Sequence, residues 1–470
     1  MLQYTIKRLL LVFPTFFMIS LLIFLVLNIA PGRPGAVAGE GGGEKGGQEQ
    51  KESFRIFKEQ FNLDKPILLN TRPWMSTERV QTLLLEANGR VDGLPPARRI
   101  ASTEAVDDHG EYLVPHLVAL LDSNDPAVVD LALAQLPVSA QQRFANDRRG
   151  DPKEARARNR EIAAANQQVK ELGLAPAEEA IPAWKAWYQG EQARLELNGG
   201  QKLSRFVFDT RFAKYWDNLL HLDFGVSTVD RRPVMDTVLS KLKYSLTLST
   251  LSVILAYLIA VPIGIWSAVR QGSKADAATT VVLFILYSLP TFFTGTVLLK
   301  LFTEGEPFSL FPTGNFQTMS SAPTTTLDLV LDIAWHLVLP VATYTSVALA
   351  SLSRYARSGV IDVIRADYIR TARAKGLSEW MVILKHAARN GMIPILTLLG
   401  SLLPSLVAGS VVIEVVFNIP GMGMYLYNSI NLRDYNAVMA VLLASSLLAL
   451  LGILISDLSY AVVDPRISLE

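Results

Sequence analysis

No cysteine occurs anywhere in the 470 residues. Disulfides, thiolate metal sites and cysteine nucleophiles are therefore excluded, and any part of the chain outside the cytoplasm must hold together by packing. Histidine is scarce as well. The five present, His109, His116, His221, His336 and His386, lack the HxxxH or HExxH spacings with which a helix aims two imidazoles at one ion, which argues against a metal site. No Gly-Lys dipeptide is found, so the chain has no P-loop. Charge is thin overall: Asp, Glu, Lys and Arg make up 19% of the residues against 50% hydrophobic, and the mean hydropathy is +0.28. That balance points to a membrane protein with a water-exposed part. The net charge of +1 conceals an uneven distribution, because Arg33 to Arg232 is rich in charge and long stretches after Leu242 have almost none.

Six stretches meet the requirement of about 20 apolar residues for a helix to cross ~30 Å of hydrocarbon with its backbone satisfied. They run from Leu9 to Ala30, Leu242 to Val269, Ala277 to Phe302, Ala334 to Leu352, Met392 to Phe417, and Ala437 to Val463. The first has the basic start of a signal peptide in Lys7 and Arg8, and Ala36-Val37-Ala38 resembles a cleavage site, but its apolar run exceeds the usual 7 to 15 residues, which favours an uncleaved anchor. Arg354, Arg357, Arg365, Arg370, Arg373, Lys375, Lys385 and Arg389 lie between the fourth and fifth stretches, whereas Thr303 to Ile333 contains no Lys or Arg. The excess of basic residues places the 354–391 loop and both termini in the cytoplasm.

Within that loop, Ile361, Ile364, Tyr368 and Ala372 recur at spacings of three and four, which predicts one helical stripe over Val360 to Lys375. Gly376 suits the left-handed position after a helix, Leu377 supplies an apolar follower, and Ser378 is placed to cap a second helix. The second helix is expected to carry Trp380, Ile383, Leu384, Ala387 and Ala388 on one face. A positive-inside anchor lying on anionic lipid explains the charge alone. A docking surface for a cytoplasmic partner also explains the capped corner and the small residues.

The stretch YIRTARAKGLS resembles the cytoplasmic signature of binding-protein-dependent ABC importer permeases of the dipeptide/oligopeptide/nickel type: Glu-Ala-Ala, three residues, then Gly. Arg370, Thr371 and Ala372 stand at the Glu-Ala-Ala positions and Gly376 at the glycine; the acid is absent, as is typical of the peptide-type branch. MLQYTIKRLLLVFPTFFMISLLIFLVLNIAPGRP, FKEQFNLDKPI, YWDNLLHLDFGVS, YSLPTFFTG, HLVLPVAT, VVIEVVFNIPGMG, NLRDYNAV and DLSYAVVDPRI follow in the family's order, although Arg33 replaces the usual acid. The resemblance covers nearly everything except Met75 to Phe212.

It implies an all-α permease of six transmembrane helices in the bacterial cytoplasmic (inner) membrane, with no chemistry of its own, that moves peptides or peptide-like solutes. The partners implied are a second homologous permease subunit, two ATP-binding subunits that hold ATP and Mg, an extracytoplasmic solute-binding protein and membrane lipid. No nucleic acid is implied. Tyr368, Arg370, Thr371, Ala372, Arg373, Lys375, Gly376 and Leu377 would be the ATPase-coupling surface, Ala372 and Gly376 allowing close approach and the arginines meeting acidic or carbonyl groups. The alternative, an ion-gradient-driven secondary transporter, calls for more spans, an internal repeat and midplane charges.

Glu414 lies among Val411, Val412, Ile413, Val415 and Val416, just ahead of Pro420 and Gly421. An acid in such a run is costly in lipid. Two compatible roles are open to it: facing the translocation pathway and outer gate, with Pro420 and Gly421, and holding the Pro-Gly loop through backbone amides. Asp457, nearer the cytoplasmic end, favours a structural pairing over substrate contact. Pro262, Pro290, Pro340, Pro394 and Pro404 can each kink a span.

The domain reading is a first transmembrane helix at 1–34, an extracytoplasmic linker at 35–74, an extracytoplasmic helical insertion at 75–212, and a permease core at 213–470. In the insertion, LVPHLVALLDSNDPAVVDLALAQL predicts two helices about a DSNDP turn, Leu113, Leu117, Leu120 and Leu121 facing Val129, Leu133 and Leu136, similar to one HEAT-type unit. Asp151 to Lys170 and the Trp184/Trp187 segment also read as helical. The insertion is either a docking or gating cap for the solute-binding protein, the reading favoured here, or a structural decoration.

Overall fold

The computed structural model describes residues 2–29, 55, 58–59, 61–144, 151–303, 305, 307–318, 325–392 and 411–463. They divide into two units, Met1–Ala38 with Phe224–Glu470, and Gly39–Asp223. Among the described residues there is no strand, only isolated bridges at Val226–Pro233 and Thr303–Phe311. Helix α1 (Leu2–Ile29) precedes the inserted unit, which holds α2 (Thr77–Ala87), α3 (Pro96–His109), α4 (Val114–Leu120), α5 (Pro126–Ser139), α6 (Pro152–Leu172), α7 (Ala177–Leu195), α8 (Gly199–Phe208) and α9 (Arg211–Leu220). The chain continues through α10 (Val234–Val269), α11 (Lys274–Ser288), α12 (Thr291–Phe302), α13 (Thr326–Ile364), α14 (Asp367–Ala374) and α15 (379–391). It closes with α16 (Val411–Val416), α17 (Met422–Asn431) and α18 (Tyr435–Val463).

Ile6–Ile29, Val234–Val269, Thr326–Ile364 and Tyr435–Ile455 are long and apolar enough to cross a membrane. The expected third span, Ala277 to Phe302, is not one helix: α11 and α12 meet at 99°. The cause is local. Leu289 precedes Pro290 and is driven into an extended conformation, ψ 127°, by the proline ring, which also removes a backbone donor. Pro262 and Pro340, by contrast, are carried inside α10 and α13. The expected fifth span falls largely on 393–410, outside the described residues, together with Pro394 and Pro404.

Helices α10 and α13 contain 36 and 39 residues. At ~1.5 Å per residue each exceeds 50 Å, well beyond ~30 Å of hydrocarbon. The first part of the 354–391 loop is therefore the projecting end of α13. The two helices pack through small residues: Ser245, Ser249, Ser252, Ala256, Ala260 and Gly264 form a buried stripe on α10 at spacings of three and four. Close approach lets α13 hydroxyls reach the α10 backbone, Thr345 Oγ1 donating to the Ser252 carbonyl and Ser353 Oγ to that of Ala260, each at 3.2 Å. Without a hydrophobic drive between helices in lipid, this packing and hydrogen bonding is what holds the pair.

The inserted unit has its own core, with Leu113, Leu117, Leu136 and Trp184 completely or almost completely buried. Asp125 caps α5 through the Ala127 N–H at 2.9 Å, so the DSNDP turn ends as expected. The stripe on α5 is Val128, Ala132 and Leu136, however; Val129 and Leu133 are only partly buried. Packing on more than one neighbour rotates the helix from the two-helix expectation. The unit also begins earlier than 75. Arg211 and Phe212 donate backbone N–H groups to the Pro66 and Ile67 carbonyls at 2.9 and 3.2 Å, and Lys65 pairs with Asp209, so residues 65–70 and 206–212 close a neck.

Burial lowers the His109 imidazole from 6.5 to about 4, and the Arg72 charge adds to the effect. The folded unit thus resists a proton that the unfolded chain accepts, and stability falls as pH drops from the unfolded value toward the folded one. Between pH 7.5 and pH 5 the loss is about 1–2 kcal/mol. Amide hydrogen exchange in α3 and α4 of the purified protein should show that loss in opening free energy, and His109→Asn should flatten the profile.

Candidate functional site: the Gly376 corner and the Glu414 loop

At the end of α13 the expected single stripe is interrupted. Arg365 ends the helix, Ala366 is extended at ψ 147°, and Asp367 starts α14. The stripe accordingly splits: Ile369 and Ala372 are buried, while Tyr368 is exposed. Gly376 takes φ +77°, the left-handed region a glycine enters without Cβ strain. Ser378 is the residue before the next helix, but its side chain makes no capping hydrogen bond.

Helix α15 adopts a π-helical turn over Val382–Ala388. The wider turn changes which residues face inward: Val382, Ile383, Ala387 and Ala388 are buried, whereas Trp380 is 72% exposed and Leu384 is exposed too. An α-helical period put Trp380 on the inner face; the π-turn puts it outside. Ile369, Ala372, Val382 and Ala387 pack with Ala268 of α10 and Val360 of α13, so the corner is seated on the ends of both long helices. Gly359 and Gly391 cross backbone to backbone; a Cβ on Gly359 would lie 2.2 Å from the Gly391 oxygen.

Arg373 bridges the corner to Glu379, Nη2 to Oε1 at 2.6 Å and Nε to Oε2 at 3.1 Å. Hydrogen bonds from Arg373 hold the Glu379 carboxyl below its usual range, and Glu379 raises Arg373. Exposed as it is, the pair contributes about 0.5 kcal/mol and mainly sets geometry. Asn390 donates to the Tyr368 hydroxyl at 3.0 Å. Arg370, Thr371, Lys375 and Leu377 lie on the exposed side.

A feature the sequence reading passed over lies behind the corner. Asp276 of α11 is buried and accepts from Arg357 Nε and Nη2 of α13 at 2.9 and 2.8 Å, from the Gly272 N–H at 3.0 Å, and from Ser267 of α10. One carboxylate thereby joins three helices through a bidentate pair. Arg357 was legible only as one positive charge among eight; an acid, Asp276, at the start of the third apolar stretch was the available signal.

Glu414 is 0% exposed. Its Oε1 accepts from Ser245 Oγ at 2.7 Å and its Oε2 from the Met424 N–H at 2.9 Å, while Ser245 Oγ accepts the Met422 N–H at 2.8 Å. Helix α17 has no capping side chain of its own at Gly421, and two distant residues satisfy its first-turn donors instead. Gly421 and Gly423 leave the room: a Cβ on Gly421 would sit 2.5 Å from Glu414 Oε2 and one on Gly423 2.7 Å from the Val411 backbone. Pro420 is partly buried in the preceding turn. These hydrogen bonds support the Pro-Gly loop. Ser245 was not singled out because a lone serine in an apolar run carries no mark of its partner. The Asp457 side chain lies outside the described set.

Asp434 completes the arrangement by accepting from Ser227 Oγ at 2.5 Å and from the Thr228 N–H at 3.2 Å, which ties the FGVS segment to NLRDYNAV.

The described residues thus include a helical membrane unit with a basic, exposed corner seated on the ends of two long helices. Residues 260–469 match the family of binding-protein-dependent transport system inner membrane components. The chain is 38% identical over 258 residues to the oligopeptide transport system permease protein AppB of Bacillus subtilis, a match covering 55% of this chain and 79% of the relative. It is 35% identical over 289 residues to the peptidoglycan transport system permease protein YejB of Agrobacterium fabrum, 60% and 79% of the two chains. The glutathione transport system permease protein GsiC of Escherichia coli K12 is 35% identical over 258 residues, 55% and 78%. The protein belongs to this family, the permeases of ABC importers of the peptide/oligopeptide type.

Proposed function

We propose that the chain forms the solute pathway of an ATP-driven importer for peptides or peptide-like solutes, and that the corner around Gly376 is where ATPase movement enters it. The observation that carries this is the division of the corner into two faces. Ile369, Ala372, Val382 and Ala387 fix it to α10 and α13, while Tyr368, Leu377 and Trp380, with Arg370 and Lys375 beside them, remain exposed. Exposed apolar side chains ringed by cations fit a partner groove with an acidic rim. A push on the corner passes to the ends of α10 and α13, and the Asp276–Arg357 pair carries α11 with them.

The assembly proposed has a second homologous permease, two ATP-binding subunits that supply ATP and Mg, and a solute-binding protein. Both termini lie in the cytoplasm and the inserted unit on the opposite side of the cytoplasmic membrane. Glu414, Pro420 and Gly421 act as positioning residues of the outer gate.

The test is purification of the tagged chain from its native membrane in mild detergent, with Trp380→Glu and Gly376→Trp variants. Trp380 is exposed, so its replacement leaves the fold of the chain intact. ATP-binding subunits and a second permease should accompany the wild type. Both variants should lose the ATPases at least tenfold while keeping the second permease. Full ATPase retention with normal uptake in both would sink the coupling role, and a wild-type chain that emerges alone would turn attention to the ion-driven alternative.

A further inference from the structure

The apolar side chains of the inserted unit fall into two groups. One forms the core around Trp184. The other stays outside it: Leu69, Trp74, Leu203, Val207 and Phe208 are all exposed, Phe208 by 65%. Helix α8 buries no residue at all. The Asn70 N–H donates to the Phe206 carbonyl at 2.9 Å, and the Trp74 ring meets the Phe206 ring edge-on at 5.4 Å. These contacts gather residues 69–74 and 203–208 into one continuous patch, and proteins rarely leave such a patch to water.

Two features point to the occupant. The patch is rich in aromatic residues and sits on an amphipathic helix whose other faces carry Lys202 and Arg205, the latter paired with Glu111, a composition that suits a helix lying in a membrane interface. It is also followed along the chain by exposed leucines at Leu220 and Leu222, just before Phe224, where the sequence of the membrane unit resumes. We propose that the inserted unit rests this patch on the lipid bilayer, with Leu69, Trp74, Leu203, Val207 and Phe208 in the headgroup and upper acyl region. Which leaflet it touches rests on the topology proposed above; the contact with lipid does not.

The absence of native cysteine makes the test direct. Single cysteines at Leu203, Phe208 and, as a control, Leu174, which is 84% exposed, are spin-labelled in the full-length chain with its bound subunits. The samples are placed in nanodiscs of phosphatidylethanolamine and phosphatidylglycerol. Power saturation with oxygen and with a water-soluble nickel chelate reads the surroundings of each label. Labels at 203 and 208 should be several-fold more accessible to oxygen than to the chelate, and the label at 174 the reverse. Chelate access at 203 and 208 equal to that at 174 would mean a solvated face. Shielding from both reagents would mean that protein covers it. Either result overturns the proposal and leaves the importer reading untouched.

Discussion

Replacing Glu414 by alanine should destabilise the membrane unit by about 3–5 kcal/mol, because it strips the buried Ser245 hydroxyl and the part-buried Met424 N–H of their acceptor at once. The Met424 N–H and the Ser245 hydroxyl both point at this carboxylate, which is 0% exposed. Glu414→Gln should be milder, about 1–2 kcal/mol, since its remaining oxygen can still accept from Met424 while its amide donates to Ser245. Ser245→Ala should fall in the same range through loss of the Met422 cap. Thermal unfolding of the three detergent-purified variants gives the order, and uptake assays should follow it. An alanine variant as stable as the wild type would show that the loop does not depend on this acid.

Gly264→Ala should separate α10 from α13, and Gly264→Leu more so. The added Cβ falls 2.3 Å from the Ala356 Cβ and 2.7 Å from the Ser353 carbonyl oxygen, and overpacking of this kind costs about 1–3 kcal/mol, more where backbone must shift. The Ser353–Ala260 hydrogen bond lies beside the clash and should weaken with it. Adding Ala356→Gly to Gly264→Ala removes the nearer obstacle but leaves the carbonyl, so the double variant should recover about half of the lost stability in a mutant cycle. Transport should fall further than stability, because the displaced α13 end also carries Val360 of the corner seat. A double variant no better than the single would place the strain elsewhere.

Four of the apolar helices among the described residues could be read from run length, and the corner glycine from its position after an amphipathic turn. Both signals are local, and lipid enforces them by leaving no alternative partner for the backbone. The break at Leu289-Pro290 was half legible: proline marked the site, but a kinked helix and a 99° turn share the same sequence mark, as Pro262 and Pro340 demonstrate by staying inside their helices. The outward Trp380 was illegible, because a π-turn over Val382–Ala388 leaves the α-helical pattern in the sequence unchanged.

What the sequence determined by itself, then, was the all-helical character of the membrane unit, four of its apolar helices and the ordered motifs of its family, since each depends on neighbours within a few turns. The tertiary structure alone decided that Glu414 and Ser245 cap a helix together, that Asp276 holds Arg357, and that residues 65–70 close the neck with 206–212. Those pairs are 169, 81 and well over 100 residues apart. A buried polar group must find a partner, but its own sequence surroundings do not say which one, and only the packed chain does.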